Sequence, residues 1–476
     1  MHVTPIGLIL ILVGPLLMLF RPKWLYIATI FSLPFTATGV VNVGSGLDAS
    51  AVQVPMFLGA LLILRVLFSS LWKMSIPLPR NGKICLLWLG VFLGVATLSL
   101  VMPVLLDSHV RIPSSQLLNT SASTLIHLKS KNITGLLYVV FGYIFAYLIA
   151  VINQKPIVLR ITLKAFLAGS VFAALWAILE FICKITGIPY PGMIFNTGTA
   201  LSAMGYIERL RGFPRLSSVA VEPSIFAQIL LIAISLYLPF IFGSLTLFGK
   251  TLDRWLFALL LVMLCLSTSS TGYVGLLIMG FTVFLLLAIR GVLKLRYFVV
   301  PMVGLGIAAL IYAVSPTAQQ VLDSTVFTKS EGYSAFERFM TIHNAFEMFR
   351  EYPILGIGWS SIDSYDLIVN LLSNAGILGL LSFVVAMYSM FRLLYRSIKS
   401  RKRSLGLEGL LQIDFAVYIA LAVILGTCMI SGILYVFTFF WFILGLTMAA
   451  GSMQTLHADI HDPELHSSPA QPAPGT

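Results

Sequence analysis

Two groupings of arginine with carboxylate stand out in a 476-residue chain that is only 10% charged. The first is ERLRGFPRLSSVAVEPS, with Arg209, Arg211 and Arg215 ahead of Glu222 and Pro223. A guanidinium meets phosphate oxygens with paired N–H donors, so arginines grouped this way suit a phosphate-like anion. Pro223 fits the first turn of a helix, where a missing N–H costs nothing. A helix start there adds partial positive charge and free N–H groups, a ready anion site. Glu222 then has two readings of equal standing. It is a general base, or a charge that complements the helix dipole.

The second grouping is SAFERFMTIHNAFEMFREYP. Ala335, Phe339, Ile342, Phe346 and Phe349 form an apolar stripe at helical spacing, with Glu337, Arg338, Asn344 and Glu347 off it. The pattern predicts an amphipathic helix that stops at Pro353 and lies at a membrane surface. It is a structural lid, or it presents Arg338, and after it His343, to a site beneath. The chain continues as PILGIGWSSIDSYD, where Gly356 and Gly358 predict a tight turn. Gly376 and Gly379 read as close helix packing rather than chemistry. Asp363, Tyr365 and Asp366 stand just before the next apolar run, as solvated loop or as a source of base. Arg65 and Glu180, within or near the ends of apolar runs, are functional charges or snorkelling ones.

The elements that must position these residues are membrane helices. Apolar residues make up 58% of the chain, in runs long enough to span a hydrocarbon core of about 30 Å with about 20 residues each. The expected fold is all-α and polytopic, with about thirteen spans (twelve to fourteen) near 5–20, 25–42, 53–72, 84–103, 133–152, 163–183, 223–243, 255–270, 272–289, 297–314, 367–391, 412–430 and 433–450. The alternation of an outer-membrane barrel is missing. Residues 1–20 lack a basic n-region and a small-residue cleavage site, so no cleavable signal peptide is expected. Cys85, Cys183, Cys265 and Cys428 fall in or beside apolar runs and read as small buried hydrophobes. No P-loop, H-E-x-x-H or C-x-x-C occurs.

The net charge of +12 is distributed for a membrane rather than for nucleic acid. Basic residues collect in alternate connections, from Arg21 and Lys23 to Arg392–Arg403, which makes that side cytoplasmic. The N-terminus is left unassigned. Long connections at 104–132, 184–222 and 315–366 fall on the opposite, periplasmic side and retain basic residues there. That is expected of an anionic ligand, or simply of long loops, which escape the charge rule. The domain expectation is a membrane unit over 1–453 and a disordered cytoplasmic tail over 454–476, with His457, His461 and His466 as solvated tail.

These segments resemble the O-antigen ligase/polymerase superfamily, membrane glycosyltransferases acting on polyprenyl-diphosphate-linked glycans. RLSSVAVEPS, Arg215 to Ser224, is similar to the R-x-S-G-L-x-x-E-P-S of the Wzy-type polymerases, with Ser218 for Gly and Val219 for Leu. LSTSSTGYVGL resembles the Ser-rich turn of the family, with Ser270 where Arg is common. Arg338 followed by PILGIG fits an arginine and P-x-x-G-x-G in the large periplasmic loop. Tyr365 and Asp366 stand where the ligases carry His-Asn, and E-P-S replaces the ligase-like H-P-N. Both departures favour polymerase over ligase.

The resemblance implies a donor glycan on an undecaprenyl-type diphosphate carrier and a carrier-linked acceptor whose hydroxyl attacks the anomeric carbon, with inversion. Arg211, Arg215 and Arg338 would neutralise the departing diphosphate. Glu222 is the first choice for base and Asp366 the second. Tyr365 would bond sugar, and Arg209, His343 and Asp363 complete the binding candidates. No acidic cluster suited to a divalent ion is visible, so neither metal nor cofactor is expected. Expected partners are the lipid-linked glycans, the bilayer and a chain-length regulator protein, with no nucleic acid. The alternatives are an O-antigen ligase, a lipid-linked glycan flippase or other transporter, and a non-catalytic assembly partner. A transporter would show repeat symmetry and helices broken at mid-membrane, and no repeat is visible in the sequence.

Overall fold

A backbone in hydrocarbon has to satisfy its own N–H and C=O groups, and this chain does so with helices. The computed structural model describes residues 2–43, 50–70, 78–107, 109–113, 123–198, 209–210, 213–243, 245–289, 319, 333–401, 408–432 and 435–453. The first half of the chain holds α1 (Pro5–Phe20), α2 (Pro22–Phe31), α3 (Val54–Ser70), α4 (Arg80–Ser99), α5 (Met102–Leu105), α6 (Ser130–Ile152), α7 (Pro156–Thr186) and α8 (Gly192–Phe195). The second half holds α9 (Pro223–Phe242), α10 (Lys250–Leu266), α11 (Ser270–Ile289), α12 (Tyr333–Glu351), α13 (Leu367–Arg401), α14 (Glu408–Ser431) and α15 (Thr438–Ser452). Among the described residues seven helices are long and apolar enough to cross a membrane, and α1, α3 and α15 are shorter apolar helices. The chain is therefore a multi-pass helical membrane protein.

Among the described residues, short strands occur only in the connections. β1 (His2–Val3), β2 (Gly39–Val43) and β3 (Ser50–Gln53) form one antiparallel sheet. β4 (Arg111–Pro113) pairs with β5 (Ser123–Leu125), and β6 (Arg209–Leu210) pairs with β7 (Phe213–Pro214).

Hydrogen bonds sort the connections onto two faces. On one, Ala37 N bonds Val219 O at 2.9 Å, Lys131 Nζ bonds Asp363 at 2.6 Å, and Gly432 N bonds Tyr365 O at 2.9 Å. Among the described residues this face gathers the three strand groups and the ends of the long connections, and is called the loop face below. On the opposite, basic face, Asn153 Nδ2 bonds Tyr26 Oη at 2.8 Å, Arg160 donates to Thr246 O, and Leu245 N bonds Gln412 Oε1 at 3.2 Å. There too Arg401 Nη1 lies 2.9 Å from Asp414 Oδ1.

α9 is the centre of the bundle. Every residue from Pro223 to Tyr237 is buried, as expected of a helix that is apolar all round. It packs against α14, α10, α11 and α7. Helices at the rim show the reverse pattern: Leu8, Leu12, Leu16 and Phe20 of α1 are exposed to the surroundings of the bundle.

The structure departs from the expected spans in two places. The run at 25–42 is not one helix: α2 stops at Phe31 and the chain continues buried through Ser32, Thr36 and Thr38 into β2. Pro34 and the hydroxyls of this stretch, including Ser32 Oγ bonded to Thr29 O at 2.9 Å, end the helix and take over its polar groups. α13 is broken at Gly376, whose φ of 66° lies in the left-handed region. The span expected at 297–314 and the tail at 454–476 lie outside the described residues.

α12 has the expected bounds but turns its stripe outward. Thr341, Ala345 and Met348 are buried, whereas Phe336, Phe339 and Phe346 are exposed. Its inner face is the smaller, mixed one, because that face packs tightly on α13.

Candidate active site

The segment from Arg215 to Glu222 is a rigid loop. Leu216, Ser217, Ser218, Val219 and Ala220 are wholly buried, and Glu222, in extended backbone conformation, is the N-cap residue of α9. Thr36 Oγ1 receives Val221 N at 3.2 Å, so the stretch after α2 is what this loop rests on. Ser218 has φ of +53°, the region that favours glycine, at the position where the resemblance has glycine. Ser218 Oγ donates to Ala173 O at 2.6 Å, and Asn196 Nδ2 donates to Ser218 O at 3.0 Å. Beneath the loop the buried carboxylate of Glu180 accepts Ser218 N at 2.6 Å. Glu180 is thus bound within the protein rather than snorkelling.

Glu222 accepts a hydrogen bond from Ser224 Oγ, two residues on. One turn deeper, Gln228 donates to Ser431 Oγ near the end of α14, while its Oε1 is buried without a partner among the described residues. The turn between α10 and α11 comes to the same level. Ser267, Thr268, Ser269 and Thr271 are all buried, and a Cβ built on Gly272 would stand 3.4 Å from Ala227 of α9. Thr268, at φ +49°, buries a hydroxyl with no partner among the described residues. The loop-face ends of α9, α11 and α14 therefore bring uncharged polar groups beneath Glu222.

Arg338 arrives from α12. Its Nη1 donates to Ile430 O at 2.6 Å, and its guanidinium carbon lies 5.0 Å from the centre of the Tyr365 ring. Burial pushes the Tyr365 phenol up to about 12, with the charges of Glu337 and Glu222 adding to the rise, Arg338 opposing it and Asp363 adding last. One phenol thus feels four of the groups singled out in the sequence. It stays protonated, and a donor, at neutral pH.

Tyr365 O accepts Gly432 N at 2.9 Å, and the chain reaches Tyr365 from the P-x-x-G-x-G turn. Gly356 and Gly376 both have positive φ, and a Cβ on Gly376 would stand 2.1 Å from Ile354 O. The turn therefore sits in the break of α13, with Ile357 N bonded to Ser373 O and Ile377 N to Pro353 O, each at 2.8 Å. Asn374 then organises the next turn, accepting Ser361 N and Ile362 N and donating to Ile362 O. Asn132 of α6 donates to Trp359 O at 2.7 Å and to Ser361 Oγ at 2.9 Å.

The structure brings Glu222, Arg338, Tyr365 and Asp363 into one electrostatic neighbourhood, with Arg215 at the other end of the buried loop that ends in Glu222. Asp366 caps α13 by accepting Val369 N at 2.9 Å, so one of its oxygens serves the helix. Asp363 is half-exposed and paired with Lys131. His343 stacks on Phe339 on the exposed side of α12, away from the buried face that meets α13. Arg209 lies in β6, and only its backbone is described; Arg211 lies outside the described residues. Sequence reasoning did not select Gln228, Thr268, Asn132, Asn374 or Lys184. Asn374 is two residues before the flagged Gly376, and a polar residue inside an apolar run was the available signal. Glu337 was noted only as lying off the apolar stripe.

Residues 255–374 match the family model Wzy_C, O-antigen ligase. The match runs from α10 through the Ser-rich turn, Arg338 and the P-x-x-G-x-G turn to Asn374. No curated protein matches the chain. The segments that build the Arg338–Tyr365 side of the site are thus similar to the O-antigen ligase family.

Proposed function

We propose that the chain is an O-antigen-type polymerase, a membrane glycosyltransferase joining repeat units carried on undecaprenyl diphosphate. An acceptor hydroxyl attacks the anomeric carbon of the donor glycan. The new glycosidic C–O bond forms as the C–O bond to the carrier diphosphate breaks, with inversion and without a metal ion. The diphosphate leaves with the electron pair, and Glu222 takes the hydroxyl proton. Arg215 and Arg338 neutralise the developing charge, which works best where water is excluded. Arg209 and Arg211 extend the cationic approach. Tyr365, a neutral phenol, donates to a sugar oxygen.

The site faces the periplasm of the bacterial inner membrane, the tail over 454–476 is cytoplasmic, and a chain-length regulator acts alongside. The observation that carries this reading is Arg338 set 5.0 Å from the centre of the Tyr365 ring, with the charge of Glu222 acting on the same phenol. Polymerase is preferred to ligase because Tyr365 fills the place that the resemblance assigns to a ligase histidine. The ligase reading keeps support from the description of the matched family.

The test is deletion of the gene and electrophoresis of the surface polysaccharide. Lipid A-core bearing a single repeat unit is the result expected for a lost polymerase. Core with no repeat attached would overturn that reading in favour of a ligase or flippase. Complementation by Glu222→Gln and by Arg338→Ala should fail; full complementation by both would remove these residues from the mechanism.

A further inference from the structure

Glu180 and Lys184 form an ion pair of 2.8 Å one turn apart on α7, with side chains 0% and 4% exposed. Two charges in so apolar a setting are costly. A buried pair can often be replaced by apolar residues of similar size with no loss of stability. Stability alone is therefore a weak reason for this pair, and its remaining contacts show what it does.

Both members reach the same short backbone segment. Lys184 Nζ donates to Arg215 O at 2.5 Å. Glu180 accepts Ser217 N at 3.2 Å and Ser218 N at 2.6 Å, and Ser217 Oγ lies 3.5 Å from it. The ammonium takes the carbonyl of Arg215 and the carboxylate takes the N–H groups of Ser217 and Ser218. These three backbone groups would otherwise lack these partners in a segment carrying a left-handed serine. The clamp ends where the Arg215 side chain begins.

We propose that Glu180 and Lys184 are positioning residues that aim the Arg215 guanidinium at the carrier diphosphate, and that their contribution passes wholly through Arg215. The proposal rests on the reading that Arg215 binds a diphosphate. It predicts a thermodynamic cycle rather than a simple loss. If the clamp acts only by orienting Arg215, removing Arg215 removes everything the clamp contributes.

The experiment uses the full chain in lipid nanodiscs, with undecaprenyl diphosphate as the probe and thermal melting measured on each sample. Glu180→Gln loses the charge that faces Lys184 and the loop N–H groups, and should weaken probe binding about tenfold. Arg215→Ala should weaken it at least as much. The double variant Glu180→Gln/Arg215→Ala should bind no more weakly than Arg215→Ala alone, and Glu180→Asp should recover part of the affinity. If the two losses multiply, or if Glu180→Gln binds like the parent, the positioning role is overturned while the diphosphate site stands. If Arg215→Ala binds like the parent, the diphosphate reading itself fails.

Should Glu180→Gln not fold, the exchange Glu180→Lys/Lys184→Glu keeps a neutral pair but puts a donor against the loop N–H groups. It should lose affinity to the level of Arg215→Ala. Parental affinity in that exchange would overturn the proposal.

Discussion

The guanidinium carbon of Arg338 lies 5.0 Å from the centre of the Tyr365 ring, while Nη1 donates to the last turn of α14 at Ile430 O. α12, α14 and the segment just before α13 are thereby joined at one arginine. Lysine cannot reproduce a donor fork and a stacked plane together. Arg338→Ala and Arg338→Lys should both lower the rate of polymer formation in membranes, by about 10²–10³-fold for alanine. Tyr365→Phe, which keeps the ring but loses the donor to sugar, should cost about 1 kcal/mol, whereas Tyr365→Ala should lose the cation–ring contact as well, roughly 0.5–2 kcal/mol more. Equal losses for phenylalanine and alanine would show that the hydroxyl is what matters.

The raised phenol sets a pH limit. Burial and the charges of Glu337 and Glu222 favour the protonated form in the fold, from an ordinary value of 10.0 to about 12. The stability this contributes is fully present below pH 10 and is lost as pH rises from 10 to about 12. Difference absorbance of the parent against Tyr365→Phe should show no ionisation of this residue below pH 10. Both proteins should share one activity profile over that range. An activity limb near neutral pH that disappears in Tyr365→Phe would contradict this assignment.

Ser218 adopts φ of +53°, where a side chain costs roughly 1–2 kcal/mol relative to glycine. Its hydroxyl offsets that through the 2.6 Å bond to Ala173 O, worth about 1 kcal/mol. Ser218→Gly should therefore melt within a few degrees of the parent in detergent. Ser218→Val, which is β-branched and has no hydroxyl, should be destabilised by about 2 kcal/mol or more and should disturb the loop that ends in Glu222.

Two ion pairs should behave oppositely. Arg401 and Asp414 are 1% and 0% exposed and join α13 to α14, with Ser397 Oγ also on Asp414 at 2.6 Å and Arg401 Nη2 on Ala450 O at 3.0 Å. Asp414→Asn should cost about 3–5 kcal/mol, and Arg401→Met/Asp414→Leu should recover much of it. Lys131 and Asp363 are 54% and 50% exposed, so Lys131→Ala should cost under about 1 kcal/mol. Thermal melting of the purified protein checks all three.

Much of this architecture was legible in the residues. Long apolar runs have one folded outcome in hydrocarbon, and Pro223 after a charged loop marks the start of α9, where Glu222 stands. The pairing of Gly356 with the break at Gly376 was not legible, because each glycine has an ordinary local explanation and only the docked turn joins them. Which way the stripe of α12 faces was not legible either. Helical spacing identifies an apolar face without saying whether protein or lipid covers it, and Phe339 is 65% exposed. Glu180 could not be distinguished from a snorkelling charge, since its partners Ser217 and Ser218 are remote in sequence.

The spacing of Glu180 and Lys184 also bears on biogenesis. A carboxylate and an ammonium one helical turn apart can neutralise each other inside α7 alone, before Arg215–Ser218 has been synthesised. The helix can thus enter the bilayer as an electrically balanced segment, carrying both charges past the insertion machinery. The loop emerges later and folds onto a receptor already assembled. Arg401 has no such companion within its own helix and must wait for Asp414 of α14, so the basic face is completed only after the loop-face receptor is in place.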